Sequence, residues 1–170
     1  MIIASIFLVV PLCLAFAALT DLFSMTIPNR VSVILLGAFF VIGPLSGMDL
    51  QVLALSIAAG AAVFLTCFIL FAFNTMGGGD AKLLTSCAVW FGFNQSLIEF
   101  LVAVALIGGM LTLCIVILRS RSEEIMATGL PIPHSLLVAK KVPYGIAIAI
   151  AGLLTYPEAP IVQAAMRAAL

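Results

Sequence analysis

Asp21 and Asp80 are the two residues whose chemistry this chain makes expensive to keep. Each stands at the edge of a long uncharged stretch, in a sequence with seven acidic and seven basic residues among 170. An ionisable side chain in or beside a bilayer core costs roughly 3 kcal/mol, so its presence marks a functional site by default. Two carboxylates brought into contact cannot both ionise cheaply, and they share one proton. One then activates water as general base while the other protonates or hydrogen-bonds a carbonyl oxygen. Such a pair hydrolyses a peptide without a metal or a nucleophilic side chain, so no cofactor is expected. It titrates as a unit.

The local sequence suits this chemistry at both positions. Asp21 follows the first hydrophobic stretch in Thr20-Asp21-Leu-Phe-Ser-Met-Thr-Ile27-Pro28-Asn29-Arg30. Pro28 stops any helix before it, because the residue preceding a proline is pushed out of the helical region. Asn29 and Arg30 open the next stretch. The plain alternative is an interfacial turn with a snorkelling aspartate. Asp80 closes Met76-Gly77-Gly78-Gly79-Asp80-Ala81-Lys82. Three glycines give backbone freedom and permit close approach. One use is an unhindered, strand-like edge that an extended peptide pairs with. The other is a flexible loop with Asp80 as helix N-cap. Lys82 either acts on the Asp80 charge, binds lipid phosphate or anchors the membrane face, the last being favoured.

These residues must be positioned by membrane helices. The chain is 65% hydrophobic and 8% charged, with a mean hydropathy of +1.36, which places it among polytopic, all-α membrane proteins. Uncharged stretches predict about six transmembrane helices: 2–20, 31–48, one within 50–74, one from 81 fading at Asn94-Gln95, 100–118 and 143–156. The fourth and sixth are short and need shielding by neighbours; without the fourth the count is five. The first has no basic segment before it and reads as a retained helix, not a signal peptide. No polar stretch is long enough to fold separately, so 1–170 reads as one domain. The 161–170 tail reads as a short interfacial helix.

Lysine and arginine placement orients the bundle. Arg30, Lys82, Arg119, Arg121, Lys140 and Lys141 fall on one set of loops and only Arg167 on the other. The positive-inside rule then puts Asp21 and Asp80 at the cytoplasmic face and both termini outside it. The same few, dispersed basic residues exclude a nucleic-acid surface. Cys13, Cys67, Cys87 and Cys114 lie singly in apolar runs, which argues against zinc or disulfides and for small packed hydrophobes. His134 reads as a structural or solvated residue in the 119–141 loop. Gly60-Ala61-Ala62 and Gly108-Gly109 suit close helix packing. Trp90 and Tyr156 suit interfacial or packing positions.

The ordered set Asp-x5-Ile-Pro-Asn, Gly-Gly-Gly-Asp-Ala-Lys-Leu and Lys141-Val-Pro143-Tyr144-Gly145 resembles the motifs of type IV prepilin peptidases, of the GxGD class of intramembrane aspartyl proteases. The short form resembles the peptidase of Flp (tight-adherence) pilus systems. The resemblance implies a GxGD aspartyl protease fold in the bacterial inner membrane, with Asp21 and Asp80 catalytic. It implies a prepilin or pseudopilin partner in a lipid setting, cut after a glycine to release a short basic leader. Gly77, Gly78, Gly79, Lys82, Pro28, Asn29, Pro143, Tyr144 and Gly145 match family positions and are expected to bind substrate or support the site. Longer members carry a cytoplasmic insert with paired cysteines and also N-methylate the new pilin end. No such segment is found here, so methyltransferase activity is not expected. The rival readings are a preflagellin-type peptidase, a pilus-assembly scaffold, and a small proton-coupled transporter. A transporter would hold its carboxylates near mid-membrane at a repeat interface.

Overall fold

The computed structural model describes residues 2–121 and 142–169. Their order is α1 (Ile2–Ser24), α2 (Asn29–Leu45), α3 (Leu50–Ala72), α4 (Gly78–Phe91), α5 (Gln95–Ser120), α6 (Tyr144–Thr155), a 3₁₀ turn (Tyr156–Glu158) and α7 (Pro160–Ala169). No strand occurs among the described residues. The protein is an all-α membrane protein: in a bilayer, helices satisfy every backbone group internally. His134, Lys140 and Lys141 lie outside the described residues.

Three helices, α1, α3 and α5, are long and apolar enough to cross a membrane, with 23, 23 and 26 residues. At ~1.5 Å per residue they reach roughly 35–39 Å. The α6–3₁₀ segment and α7 meet at a 42° bend and make a fourth span if they cross together. Helix α2 is a shorter apolar helix of 17 residues. Helix α4 has 14, most of them buried. Among the described residues, helix length alone thus gives three crossings, or four with the bent pair as one span.

Several boundaries move from their expected places, each for a local reason. Helix α1 runs past Asp21 to Ser24 and stops at Met25, whose φ of 52° is left-handed. Helix α5 starts at Gln95 because Asn94 caps it, its side chain accepting from the Ser96 amide. Helices α2 and α3 end in Schellman turns. In the second, the Thr75 amide reaches Leu70 O and the Asn74 amide reaches Phe71 O, with Asn74 left-handed at φ 57°. Asparagine is one of the few non-glycine residues that tolerate this conformation. The tail is helical through Ala169 as expected, but it turns Ile161, Val162 and Ala165 inward and packs on α1 and α4.

Helix α4 is the centre of the bundle. It packs against α2, α3 and α6, while α6 packs in turn on α1 and α5. Close approach depends on small residues. A Cβ on Gly60 would stand 2.5 Å from Val89 Cγ2, and one on Gly108 would overlap the hydroxyl end of the Tyr144 ring. Trp90 donates from Nε1 to Leu35 O at 3.1 Å, and Tyr156 donates to Ile6 O at 2.8 Å. With Phe39, Phe91 and Phe100 these two form a buried aromatic cluster at the end of α4, so both are packing residues.

Helix α3 packs extensively only on α4. Gly60→Ala should therefore lower stability by about 1–3 kcal/mol through overpacking, despite its better helix propensity. Gly109, with nothing within 4 Å of its Cβ position, should accept alanine with no loss. Thermal unfolding of both variants in one detergent checks the contrast.

Candidate active site

Asp21 lies in the last turn of α1 and is buried, 5% exposed. A carboxylate so placed needs a donor. Its Oδ2 accepts a 2.7 Å hydrogen bond from the backbone amide of Gly145, 124 residues away in sequence. Gly145 sits in the first turn of α6, where amides have no intrahelical partner. Pro143 is the N-cap of that helix, and Pro28 holds the same place in α2. Neither proline supplies a group to the site; each starts the helix that does. The approach at Gly145 is too close for any side chain. A Cβ there would lie 2.8 Å from Asp21 Oδ2 and 2.8 Å from Ile27 Cδ1.

Asp80 lies in the first turn of α4, after Gly77 as N-cap and Gly78 and Gly79 in helical conformation. It is therefore the third helical residue and not the cap. The positive end of the helix dipole favours a carboxylate there. The carboxylate folds back over the cap, its Oδ2 2.6 Å from where a Gly77 Cβ would stand. The expected strand-like glycine edge is not what forms: only Gly77 is extended, and none of the three has positive φ. The helix extends back to Gly78 because the glycines serve close packing. A Cβ on Gly78 would stand 3.3 Å from the Phe71 ring, and one on Gly79 would stand 3.2 Å from Ile27 Cβ.

Lys82 Nζ donates to Asn29 Oδ1 at 2.9 Å. This ties the start of α4 to the start of α2, a role that neither the charge nor the anchor reading of Lys82 included. Among the expected residues, Asp21 thus meets Gly145 and Lys82 meets Asn29 by direct hydrogen bonds.

A cavity of about 1160 Å³ opens beside Asp80, between α3 and α5 with α4 as its floor. Gly77, Gly78, Asp80 and Tyr144 line one end, and Phe93 and Asn94 the other. Asp21 does not line it; it stands behind, joined through the Tyr144–Gly145 turn. Thr66, Cys67, Phe71 and Thr112 also line the cavity. Sequence reasoning missed them, since a threonine or cysteine inside an apolar run looks the same whether it faces lipid or a cavity.

Residues 8–113 match the model of the type IV leader peptidase family. That match covers more than half of the chain and includes both aspartates and the glycine run. The chain belongs to the type IV leader peptidase family. Neither a curated protein nor a solved structure matches it. Family membership makes this a membrane protease of an aspartic-type family with prepilins as its substrate class. In this leader peptidase the matched segment ends within α5, yet the donor to Asp21 lies beyond it in α6.

The packing around Gly79 yields a graded expectation for this peptidase. Its backbone is helical, so bulk and not φ decides what is tolerated. Gly79→Ala, whose Cβ would press on Ile27 at 3.2 Å, should retain partial cleavage. Gly79→Val should lose ten- to a hundredfold, on the scale by which a misplacement of about 1 Å, even one originating away from the chemistry, slows a reaction. Prepilin mobility shift, with membrane insertion monitored in parallel, distinguishes the two.

Proposed function

We propose that this chain is an intramembrane aspartyl endopeptidase in which Asp21 and Asp80 form the catalytic dyad. It would remove the leader of Flp-type prepilins at the cytoplasmic face of the bacterial inner membrane. The observation that carries the reading is the Tyr144–Gly145 turn. Its Gly145 amide holds Asp21, and its Tyr144 lines the cavity that contains Asp80. Two aspartates 59 positions apart are thereby tied to one corner of the bundle. The assignment to Flp-type prepilins rests on the resemblance of the motif set alone.

In the mechanism, the two carboxylates hold one proton between them. The ionised one removes a proton from water, and the resulting hydroxide attacks the scissile carbonyl carbon. The protonated one donates to the carbonyl oxygen, which becomes the hydroxyl of a tetrahedral intermediate. Collapse breaks the C–N bond, and the amine leaves with a proton returned by the dyad. The Gly145 amide keeps Asp21 oriented throughout. The cavity floor gives the substrate a path: from Asp80 to Phe91 along α4 is about 17 Å at ~1.5 Å per residue, enough for about three turns of an apolar helical segment beside the scissile bond.

Charge placement supports the orientation. Arg30, Lys82 and Arg119 stand at the helix ends nearest the two aspartates, whereas Asp49, Glu99 and Glu158 stand at the opposite ends. A transporter with mid-membrane carboxylates lacks this layout, since Asp21 and Asp80 occupy terminal turns.

Two experiments test the proposal. Asp21→Asn and Asp80→Asn should each abolish leader cleavage on co-expression with a prepilin while inserting normally, since each side chain has a distinct acid–base task. Wild-type cleavage by either would remove that residue from the mechanism. Reporter fusions after Thr75 and within the 119–141 loop should read cytoplasmic, and a C-terminal fusion extracytoplasmic. A cytoplasmic C-terminus would mean an odd number of crossings.

A further inference from the structure

Ile27 carries no chemistry of its own, yet it meets both halves of the site. It lies half-buried against the core in the short strap between α1 and α2. Its Cδ1 is 2.8 Å from the Cβ position of Gly145, the residue whose amide holds Asp21. Its own Cβ is 3.2 Å from the Cβ position of Gly79, the residue before Asp80. Two motif glycines far apart in sequence thus lack side chains where the same isoleucine stands.

The strap fixes Ile27 from both ends. Met25 is left-handed at φ 52°, with its amide on Asp21 O at 3.0 Å. A non-glycine residue in this conformation is uncommon and persists only where the surroundings impose it. Pro28 has a ring-locked φ of −63°, and its carbonyl takes the Val31 amide at 3.1 Å. Asn29 is tied to Lys82. Isoleucine is also branched at Cβ, which leaves it stiff at χ1. A stiff side chain on a pinned strap between two bare glycine surfaces has the properties of a spacer.

We propose that Ile27 is a positioning residue: its side chain sets the separation between the Asp21–Gly145 pair and the Gly79–Asp80 turn. The inference rests on the reading of Asp21 and Asp80 as the catalytic dyad. Shortening the side chain leaves space beside Gly145, and the two carboxylates then settle at a different spacing. Their coupling, which depends on distance, changes with it. No contact with the substrate's apolar segment is removed, so binding is spared.

The test uses the full-length protein in detergent with a purified prepilin. Wild type, Ile27→Val and Ile27→Ala are compared for kcat, KM, pH–rate profile and thermal unfolding, with Asp21→Asn and Asp80→Asn alongside. Expected is a fall in kcat in the order Ile, Val, Ala, reaching ten- to a hundredfold at alanine. KM should stay within about twofold, as for loss of an interaction that acts on the reacting groups and not on ground-state binding. The two limbs of the pH profile should move relative to each other, which loss of folded protein cannot produce. An Ile27→Ala enzyme with wild-type kcat and profile overturns the spacer role. So does a loss of activity that tracks the unfolding temperature with an unchanged profile. Where Ile27→Ala fails to insert, Ile27→Val, which lacks only the Cδ1 against Gly145, decides on the same readouts. Cleavage by either asparagine variant overturns the dyad reading and the spacer with it. Inactive asparagine variants beside an unaffected Ile27→Ala overturn the spacer alone.

Discussion

A carboxylate buried in an apolar bundle must be given a hydrogen-bond donor, and here the backbone supplies it. The Gly145 amide reaches Asp21 at 2.7 Å, and much of the fold follows from that contact. The amide is free because Gly145 opens a helix. The helix opens there because Pro143 caps it. The approach is possible because residue 145 has no side chain, in a corner already filled by Asp21 and Ile27. Tyr144, the next residue back, is held in a recess that exists because residue 108 is glycine. A buried unpaired carboxylate would cost far more than the ~1 kcal/mol of an ordinary hydrogen bond, so these small-residue positions are coupled through one polar group.

Much of the candidate site could be picked out from the sequence, because it holds residue types that the membrane otherwise excludes. Asp21 and Asp80 stood out against uncharged surroundings, and the glycine run and the Pro143-Tyr144-Gly145 segment marked close backbone approaches. The conformation of the glycine run was not legible. Gly78 and Gly79 are helical, against their low propensity, because Phe71 and Ile27 occupy the space that side chains would need. Ile27 was quoted within its motif and given no role, since an isoleucine in an apolar chain carries no signal of its own. The crossing count was only partly legible. Hydropathy finds lipid-facing runs, whereas α4 is short and shielded by protein, so its sequence does not report whether it crosses.

The arrangement of α3, α4 and α5 separates stability from access. Helix α4 has its aromatic end tied to α2 through the Trp90–Leu35 hydrogen bond, and beside it the Tyr156–Ile6 bond ties the 3₁₀ turn to α1. The Asp80 end has no such aromatic clamp; it is held by Lys82–Asn29 and by glycine contacts with Ile27 and Phe71. On the cavity side, α3 and α5 stand apart over the α4 floor. Among the described residues, the hydrogen-bonded aromatic cluster thus lies away from the aspartates, and the cavity lies beside Asp80.

The sequence separation of the Asp21–Gly145 pair also has a meaning in time. At about 5–20 residues per second, the ribosome makes Gly145 roughly 6–25 s after Asp21. During that interval α2 to α5 are synthesised while Asp21 lacks its donor, so the first five helices precede the amide that completes their corner. The arrival of α6 closes it. The buried Asp21 carboxylate is thereby paired only after α6 is made, and a nascent fragment in the membrane holds both aspartates without the amide that orients one of them.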